Sequence, residues 1–280
     1  MKTTHKFALV RSAYRTIGFA RGLVGLGDQV QITRDGLRYD LDLSQAIDLT
    51  IFVLGRFEPS TVAAFRRYVK PGATVLDIGA NIGAHTLQLG RLVGANGRVL
   101  SFEPTDFAFA KLRRNLDRNP QIAGQVTALQ CFLTAGDGNT LPHSVYSSWS
   151  LPRSAEAHEK HLGLRMTTGG ARGATLDCVL AEQGVERVDL VKLDVDGFEC
   201  DVLAGAGKMI RRDRPTFVME IMPYGLVEQG ATLEQFLKFF LPLGYRLYDE
   251  RTEAELPADA RELEGMIGEG ASRNVIARVG

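Results

Sequence analysis

Carboxylates at the ends of apolar runs are the residues of this chain best suited to chemistry. The first group surrounds Val75-Leu76-Asp77-Ile78-Gly79-Ala80-Asn81-Ile82-Gly83-Ala84-His85-Thr86. Thr74 to Asp77 reads as a buried strand with an acid near its C-terminal end, followed by a glycine-rich turn and an apolar helix from Ala84 to Val93. Gly79 and Gly83 carry no Cβ, so a ligand can lie against the backbone. The helix N-terminus turns unpaired N–H groups toward it. Val99 to Phe102 reads as the next strand, ended by Glu103-Pro104 20 residues beyond Gly83. An acid at that place can hydrogen-bond both hydroxyls of an adenosine ribose. A dinucleotide fingerprint asks for glycine at 79, 81 and 84, and this chain has Gly79, Asn81 and Ala84. Asp77 also stands where a pyrophosphate would be repelled. The pattern suits a ligand with an ammonium group and no phosphate, which describes S-adenosylmethionine. The expected cofactor contacts are Asp77, Gly79, Ala80, Asn81, Gly83, His85, Thr86, Glu103, Pro104 and, from the second group, Asp194.

That second group lies in Val188-Asp189-Leu190-Val191-Lys192-Leu193-Asp194-Val195-Asp196-Gly197-Phe198-Glu199. A buried strand delivers Asp194 and Asp196 to its C-terminal end, and in an extended backbone both point to one side. Met219-Glu220-Ile221 ends the next strand with another acid. Asp194, Asp196 and Glu220 are therefore the candidate catalytic residues. Three roles fit: contact with a ligand ammonium or an acceptor, removal of a hydroxyl proton by an acid whose neighbours raise its pKa, or oxygen ligation of magnesium. The cofactor ammonium and a shared proton are preferred, because no histidine is placed to complete a metal site. His158 and His161 beside Glu159 and Lys160 read as a solvated helix.

These acids need a sheet to hold them. Residues 29–43 alternate around Asp35-Gly36 and read as a β-hairpin. Phe7, Val10, Tyr14 and Ile17 suggest an amphipathic helix before it, packed on the core, its basic face leaving a membrane surface as the other option. Residues 45–70 read as helical. From Thr74 strands and helices alternate, with Asp106 expected to cap a helix to about Asn119, and strands at 126–131, 188–194, 216–221, 245–248 and 274–279. Residues 250–271 show only scattered polar sequence, so the final strand is expected to be antiparallel. The fold class is α/β: a Rossmann-like, class I methyltransferase arrangement with a mostly parallel seven-stranded sheet and helices on both faces, preceded by an N-terminal helix and hairpin. The division is an extension at 1–58 packed on a domain at 59–280. Residues 132–174 interrupt the rhythm as a long insertion at the carboxyl edge, where open α/β sheets bind ligands. It is expected to act as an acceptor lid, with His143, Tyr146, Ser148 and Trp149 contacting the acceptor. The alternative is a surface excursion that Trp149 pins to the core.

With 33 basic and 33 acidic residues, no global charge argues for nucleic acid or an anionic membrane. No apolar run is long enough to span a bilayer. Three scattered cysteines, Cys131, Cys178 and Cys200, read as buried small side chains in a reducing, cytoplasmic setting.

The chain resembles the FkbM-type family of S-adenosylmethionine-dependent methyltransferases. The matching stretches are GRFEPSTV, VLDIGANIGAHT, GRVLSFEP, ATLDCVL, VKLDVDGFECDVLAGA and RPTFVMEI, in the family's order over roughly residues 35–225. Family members often carry Glu at the place of Asp196 and an aromatic residue at the place of His85, which reads as a satisfied helix-start histidine. The resemblance implies O-methylation of a hydroxyl on a sugar, polyketide or related small metabolite. Methylation of nitrogen or of a protein side chain, and a non-catalytic cofactor-binding module, are the alternatives. The acceptor's identity and homo-oligomerisation stay open.

Overall fold

The structure is a computed structural model that describes residues 3–136, 138, 141–152, 154–160 and 162–280, with side chains from residue 10 onward. Its strands are β1 (Gln29–Arg34), β2 (Leu37–Asp42), β3 (Thr74–Ile78), β4 (Arg98–Phe102), β5 (Val126–Leu129), β6 (Cys131–Leu133), β7 (Ser144–Ser148), β8 (Leu164–Thr167), β9 (Arg172–Ala174), β10 (Leu190–Leu193), β11 (Thr216–Ile221), β12 (Tyr245–Asp249) and β13 (Arg273–Val279). Seven of them form one sheet in the order β12-β13-β11-β10-β3-β4-β5. Only β13 runs antiparallel, to both β11 and β12. The first five helices are α1 (Thr3–Gly22), α2 (Ala46–Leu54), α3 (Pro59–Tyr68), α4 (Ala84–Val93) and α5 (Asp106–Asp117).

Strand alternation explains how this sheet holds both a core and a site. One face carries Leu76, Ile78, Leu100, Phe102, Val191, Leu193, Phe217 and Met219, all buried in one apolar cluster. The other face begins apolar, with Val75, Val99, Leu190, Val218 and Ile276 packed on Ala64 and Phe65 of α3 and Leu89 and Val93 of α4. Two residues further along the parallel strands it turns polar: Asp77, Ser101, Lys192 and Glu220. The switch from apolar to charged on a single face marks the carboxyl edge as the place where burial gives way to function.

Several elements depart from expectation. Thr105, not Asp106, caps α5, its side chain accepting from the Ala108 N–H. The third strand stops at Leu129; Cys131–Leu133 leaves the sheet to pair with Arg172–Ala174. The insertion is not featureless: β7 and β8 form an antiparallel hairpin. Residues 250–271 contain a helix, Ala260–Ile267, capped by Asp259. Among the cysteines, Cys131 is buried but Cys178 is exposed. His158 lies beside a turn instead of in a helix, paired with Glu228 at 3.3 Å, and His161 falls outside the described residues. No helix among the described residues is long and apolar enough to cross a membrane.

Candidate active site

The register of the sheet sets the site's frame. Phe102, Ile78, Leu193 and Met219 are level across four strands. Glu103, Gly79, Asp194 and Glu220 each follow by one residue, so they form a row along the carboxyl edge. The ladder continues through this row: the Gly79 N–H donates to Phe102 O at 3.0 Å and the Asp194 N–H to Ile78 O at 3.2 Å. Above it opens a cavity of about 1380 Å³, lined by all four row residues together with Ala80, Asn81, His85, Pro104, Lys192, Asp196 and Trp149. That volume exceeds the roughly 300–1,000 Å³ of an ordinary small-ligand site and has room for two molecules.

The glycine turn is built for close packing of the protein as well as for a ligand. Gly79 has φ +81, and a Cβ there would lie 1.8 Å from the Asp194 carbonyl oxygen. Gly83 has φ +86, with a Cβ meeting Leu112 at 2.7 Å. Asn81 also takes a left-handed conformation, φ +48. Asparagine is one of the few side chains that tolerate it, so Asn81 serves the turn at a place where a dinucleotide fingerprint would have glycine.

Asp77 does not line the cavity. It is fully buried beneath the turn, accepting a 2.6 Å hydrogen bond from Thr86 and facing Lys192 Nζ at 3.7 Å. Gly83 and Thr86 likewise lie below the cavity surface, so of the expected cofactor contacts these three support the turn. Lys192 is the residue that sequence reading missed. Its ammonium, 3.4 Å from Asp194, donates to the Gly79 carbonyl at 2.9 Å. Burial pulls its pKa down, but Asp194, Asp77 and Glu58 outweigh this and raise it. The signal was a lysine inside an otherwise apolar strand, a position lysine occupies only when paired.

Glu103 is buried at the cavity wall. Its Oε1 accepts from the Thr105 N–H at 2.9 Å and the Thr105 hydroxyl at 2.6 Å, and Ser147 of β7 approaches at 3.4 Å. Oε2 accepts only the Asn81 N–H, at 2.9 Å, which leaves it a lone pair for one further donor. Burial raises the carboxyl's pKa against these donors. Beside it Phe102, Cys131, Phe132, Phe198 and Val202 offer an apolar bed, with Phe132 and Phe198 in edge contact at 5.2 Å. A spare acceptor next to an apolar bed fits a nucleoside.

The acids beyond Asp194 are only partly compensated. Burial, then Asp194 and Glu199, push the Asp196 carboxyl well up. Burial, then Asp194 and Glu58, do the same to Glu220 despite a hydrogen bond from Ser272. Asp196 has φ +50, so the chain has left the extended form, yet it reaches the cavity with Asp194. Glu199 holds this bend by accepting from the Val195 and Gly197 N–H groups at 3.1 and 3.3 Å. Burial raises its carboxyl to about 7. A raised acid binds its proton more tightly folded than unfolded, so its contribution to stability declines as pH rises from the ordinary carboxylate range to about 7. Glu199→Gln keeps the acceptor oxygen and removes the charge. It is expected to gain roughly 2–3 kcal/mol relative to wild type between pH 5 and 7.5, read by urea unfolding. Parallel stability curves would refute this.

His85 pairs through Nε2 with Glu58 at 3.1 Å and packs against Phe57 and Phe65, but its buried Nδ1 has no hydrogen-bond partner among the described residues, so the helix-start histidine is satisfied on one side only. Within the insertion, Ser147 is tied to Asn81, whose Nδ2 donates to its carbonyl at 3.0 Å. Tyr146 lines the cavity with the Arg165 guanidinium 4.9 Å over its ring. Ser148 donates to Gln45 and His143 is exposed, neither lining the cavity. Trp149 both lines it and packs with Leu43, Leu49 and Leu151 against the N-terminal helix. Trp149→Ala is therefore expected to lower stability by about 2–3 kcal/mol as well as to weaken acceptor binding. An unchanged melting temperature would show that it is a wall only.

Among the described residues no group of three or more His, Cys, Asp or Glu side chains is arranged to hold a metal ion. Residues 77–247 match the family description "Methyltransferase FkbM domain".

The chain belongs to the FkbM methyltransferases.

Members of this family depend on S-adenosylmethionine. Over 157 residues the chain is 32% identical to "Methyltransferase sdnD" of Sordaria araneosa, covering 47% of this chain and 59% of that one. It is 31% identical over 164 residues to "31-O-demethyl-FK506 methyltransferase FkbM" of Streptomyces tacrolimicus, covering 49% and 60%. It is 28% identical over 157 residues to "2-O-methyltransferase NoeI" of Sinorhizobium fredii, covering 52% and 62%. The matches span about three fifths of the length of these three relatives.

Proposed function

We propose that this chain transfers a methyl group from S-adenosylmethionine to a hydroxyl of a small sugar, polyketide or related metabolite. The observation that carries the reading is the row Glu103, Gly79, Asp194, Glu220 along one cavity. Glu103 and Asp194 stand two strand spacings apart, roughly 10 Å, a span that suits an adenosine at one end and an amino acid at the other. Glu103 would hold a ribose hydroxyl, the apolar bed around Phe132 the purine, and Asp194 the ammonium. The O-methyltransferase names of two relatives support a hydroxyl acceptor.

When bound, the cofactor supplies a methyl group already activated on a sulfonium, so the protein has mainly to align an acceptor and take up one proton. Asp196 and Glu220 are the acids for that proton. Each is held toward its protonated form by burial and like charge, and positive charge entering the cavity lowers its pKa toward the working range of a general base. Lys192 keeps Asp194 in line and ties it to the Gly79 carbonyl, which fixes the turn relative to the acids.

The test is transfer of a labelled methyl group from S-adenosylmethionine to a panel of polyhydroxylated sugars and macrolides. Alkali-stable label on oxygen in at least one acceptor is the expected result. Cofactor binding without transfer to any hydroxyl, or transfer to nitrogen alone, would overturn it. A companion measurement uses Glu103→Gln, since an alanine would strand the Asn81 and Thr105 N–H groups. Its dissociation constant for S-adenosylhomocysteine is expected to rise about ten- to hundred-fold by calorimetry.

A further inference from the structure

The row along the carboxyl edge does not stop at Glu220. Glu220 is directly opposite Asn274 on β13. On the other side of β13, Asp249 is opposite Val275, and the next residue, Glu250, donates its N–H to the Asn274 carbonyl. Glu220, Asn274 and Glu250 thus extend the row over three strands, and all three line the cavity. Glu250 lies three strand spacings from Asp194, roughly 14 Å, beyond the reach of the cofactor's amino-acid end if Asp194 holds its ammonium.

Glu250 is only 3% exposed, and neither carboxylate oxygen has a hydrogen-bond partner among the described residues. The side chains of Ser60, Thr61 and Asn274 are near without reaching hydrogen-bond geometry. Asn274 donates instead to the Thr61 hydroxyl at 3.1 Å, which faces Glu58, and burial raises the Glu250 pKa. The neighbouring acids have their own partners: Asp249 holds Arg273 at 2.8 Å, Glu58 holds His85, and Glu220 takes the Ser272 hydroxyl. A buried carboxylate without a close donor, lining a cavity, is costly unless a proton or a cation compensates it, and a cation entering the cavity can take the proton's place.

Resting on the methyl-transfer reading, we propose that this end of the cavity, with Glu250 at its centre and Glu58, Glu220 and Asn274 around it, binds an ammonium group of the acceptor. The acceptor is then an amine-bearing polyol, of the amino-sugar or aminocyclitol type, methylated on a hydroxyl remote from its amine. Glu250 supplies two acceptor oxygens for the donors of an ammonium.

The test uses two matched pairs of probes, methyl glucosaminide against methyl glucoside and cyclohexylamine against cyclohexanol. Binding is measured by calorimetry at neutral pH on protein saturated with S-adenosylhomocysteine. The amine of at least one pair is expected to bind about tenfold more tightly than its hydroxyl counterpart. In Glu250→Gln that preference is expected to fall below about threefold, with S-adenosylhomocysteine affinity and melting temperature kept. Absence of any amine preference in the wild type, or a full preference in Glu250→Gln, overturns the inference. The S-adenosylhomocysteine titration stands apart: its failure strikes the methyl-transfer reading, while absence of an amine preference in the cofactor-loaded wild type strikes this inference alone.

Discussion

Lys192→Met is expected to cost about 3–5 kcal/mol of folding stability, the largest loss of any single exchange at the site. Lys192 is the cation between two carboxylates, one of them fully buried, and its ammonium also satisfies the Gly79 carbonyl. Methionine fills similar space but leaves Asp77 without a counter-charge under the turn. Urea unfolding measures the loss. The double variant Lys192→Met with Asp77→Asn is expected to recover part of it, because the stranded charge and not the lost packing dominates. A loss below about 1 kcal/mol in the single variant would mean that the pair contributes little and that Asp77 finds its compensation elsewhere.

Asp194→Asn is expected to lower turnover by at least about a hundredfold while the protein stays folded. Asparagine keeps the shape and the backbone carbonyl against which Gly79 packs. It removes the charge facing Lys192 and the cavity. S-adenosylhomocysteine affinity then separates the two roles of this acid. A ten- to hundred-fold weakening identifies Asp194 as the ammonium partner, whereas unchanged affinity with lost turnover assigns it to the acceptor side. Full activity in Asp194→Asn would remove the acid row from the centre of the mechanism.

The strands and the turn were legible in the sequence because their signals are local. Thr74 to Asp77 and Val99 to Phe102 read as buried strands, and Ala84–Val93 is a helix with the expected bounds. The acids Glu103, Asp194 and Glu220 could be assigned to one edge because parallel strands bring their carboxyl ends together. Register refines this into a row, and register is a property of pairing that no single strand announces. The same holds for Lys192, whose partners lie on another strand, and for Glu250, which follows an edge strand in a stretch dismissed as scattered polar sequence.

Some misses had signals. Asp259 with Glu262 three residues on, then Leu263, Met266 and Ile267 at helical spacing, marks a capped amphipathic helix. The β7–β8 hairpin has weak alternation and a long, polar connection, so its pairing rests on tertiary context. Asp77 was read as a ligand contact from its place before the turn. Alternation puts it on the polar face, but α4 covers it there, Thr86 from that helix donating to one oxygen while the other faces Lys192 at 3.7 Å without a hydrogen bond. The helix that creates the turn also seals the acid beneath it.

A crystal structure with S-adenosylhomocysteine tests the central claim most directly. The expected result is a ligand along the Gly79–Asn81 turn, a ribose hydroxyl on Glu103 Oε2, the purine against Phe132 and the amino group toward Asp194, with the Glu250 end of the cavity still open. A ligand bound elsewhere, or one that leaves Glu103 and Asp194 untouched, would contradict it.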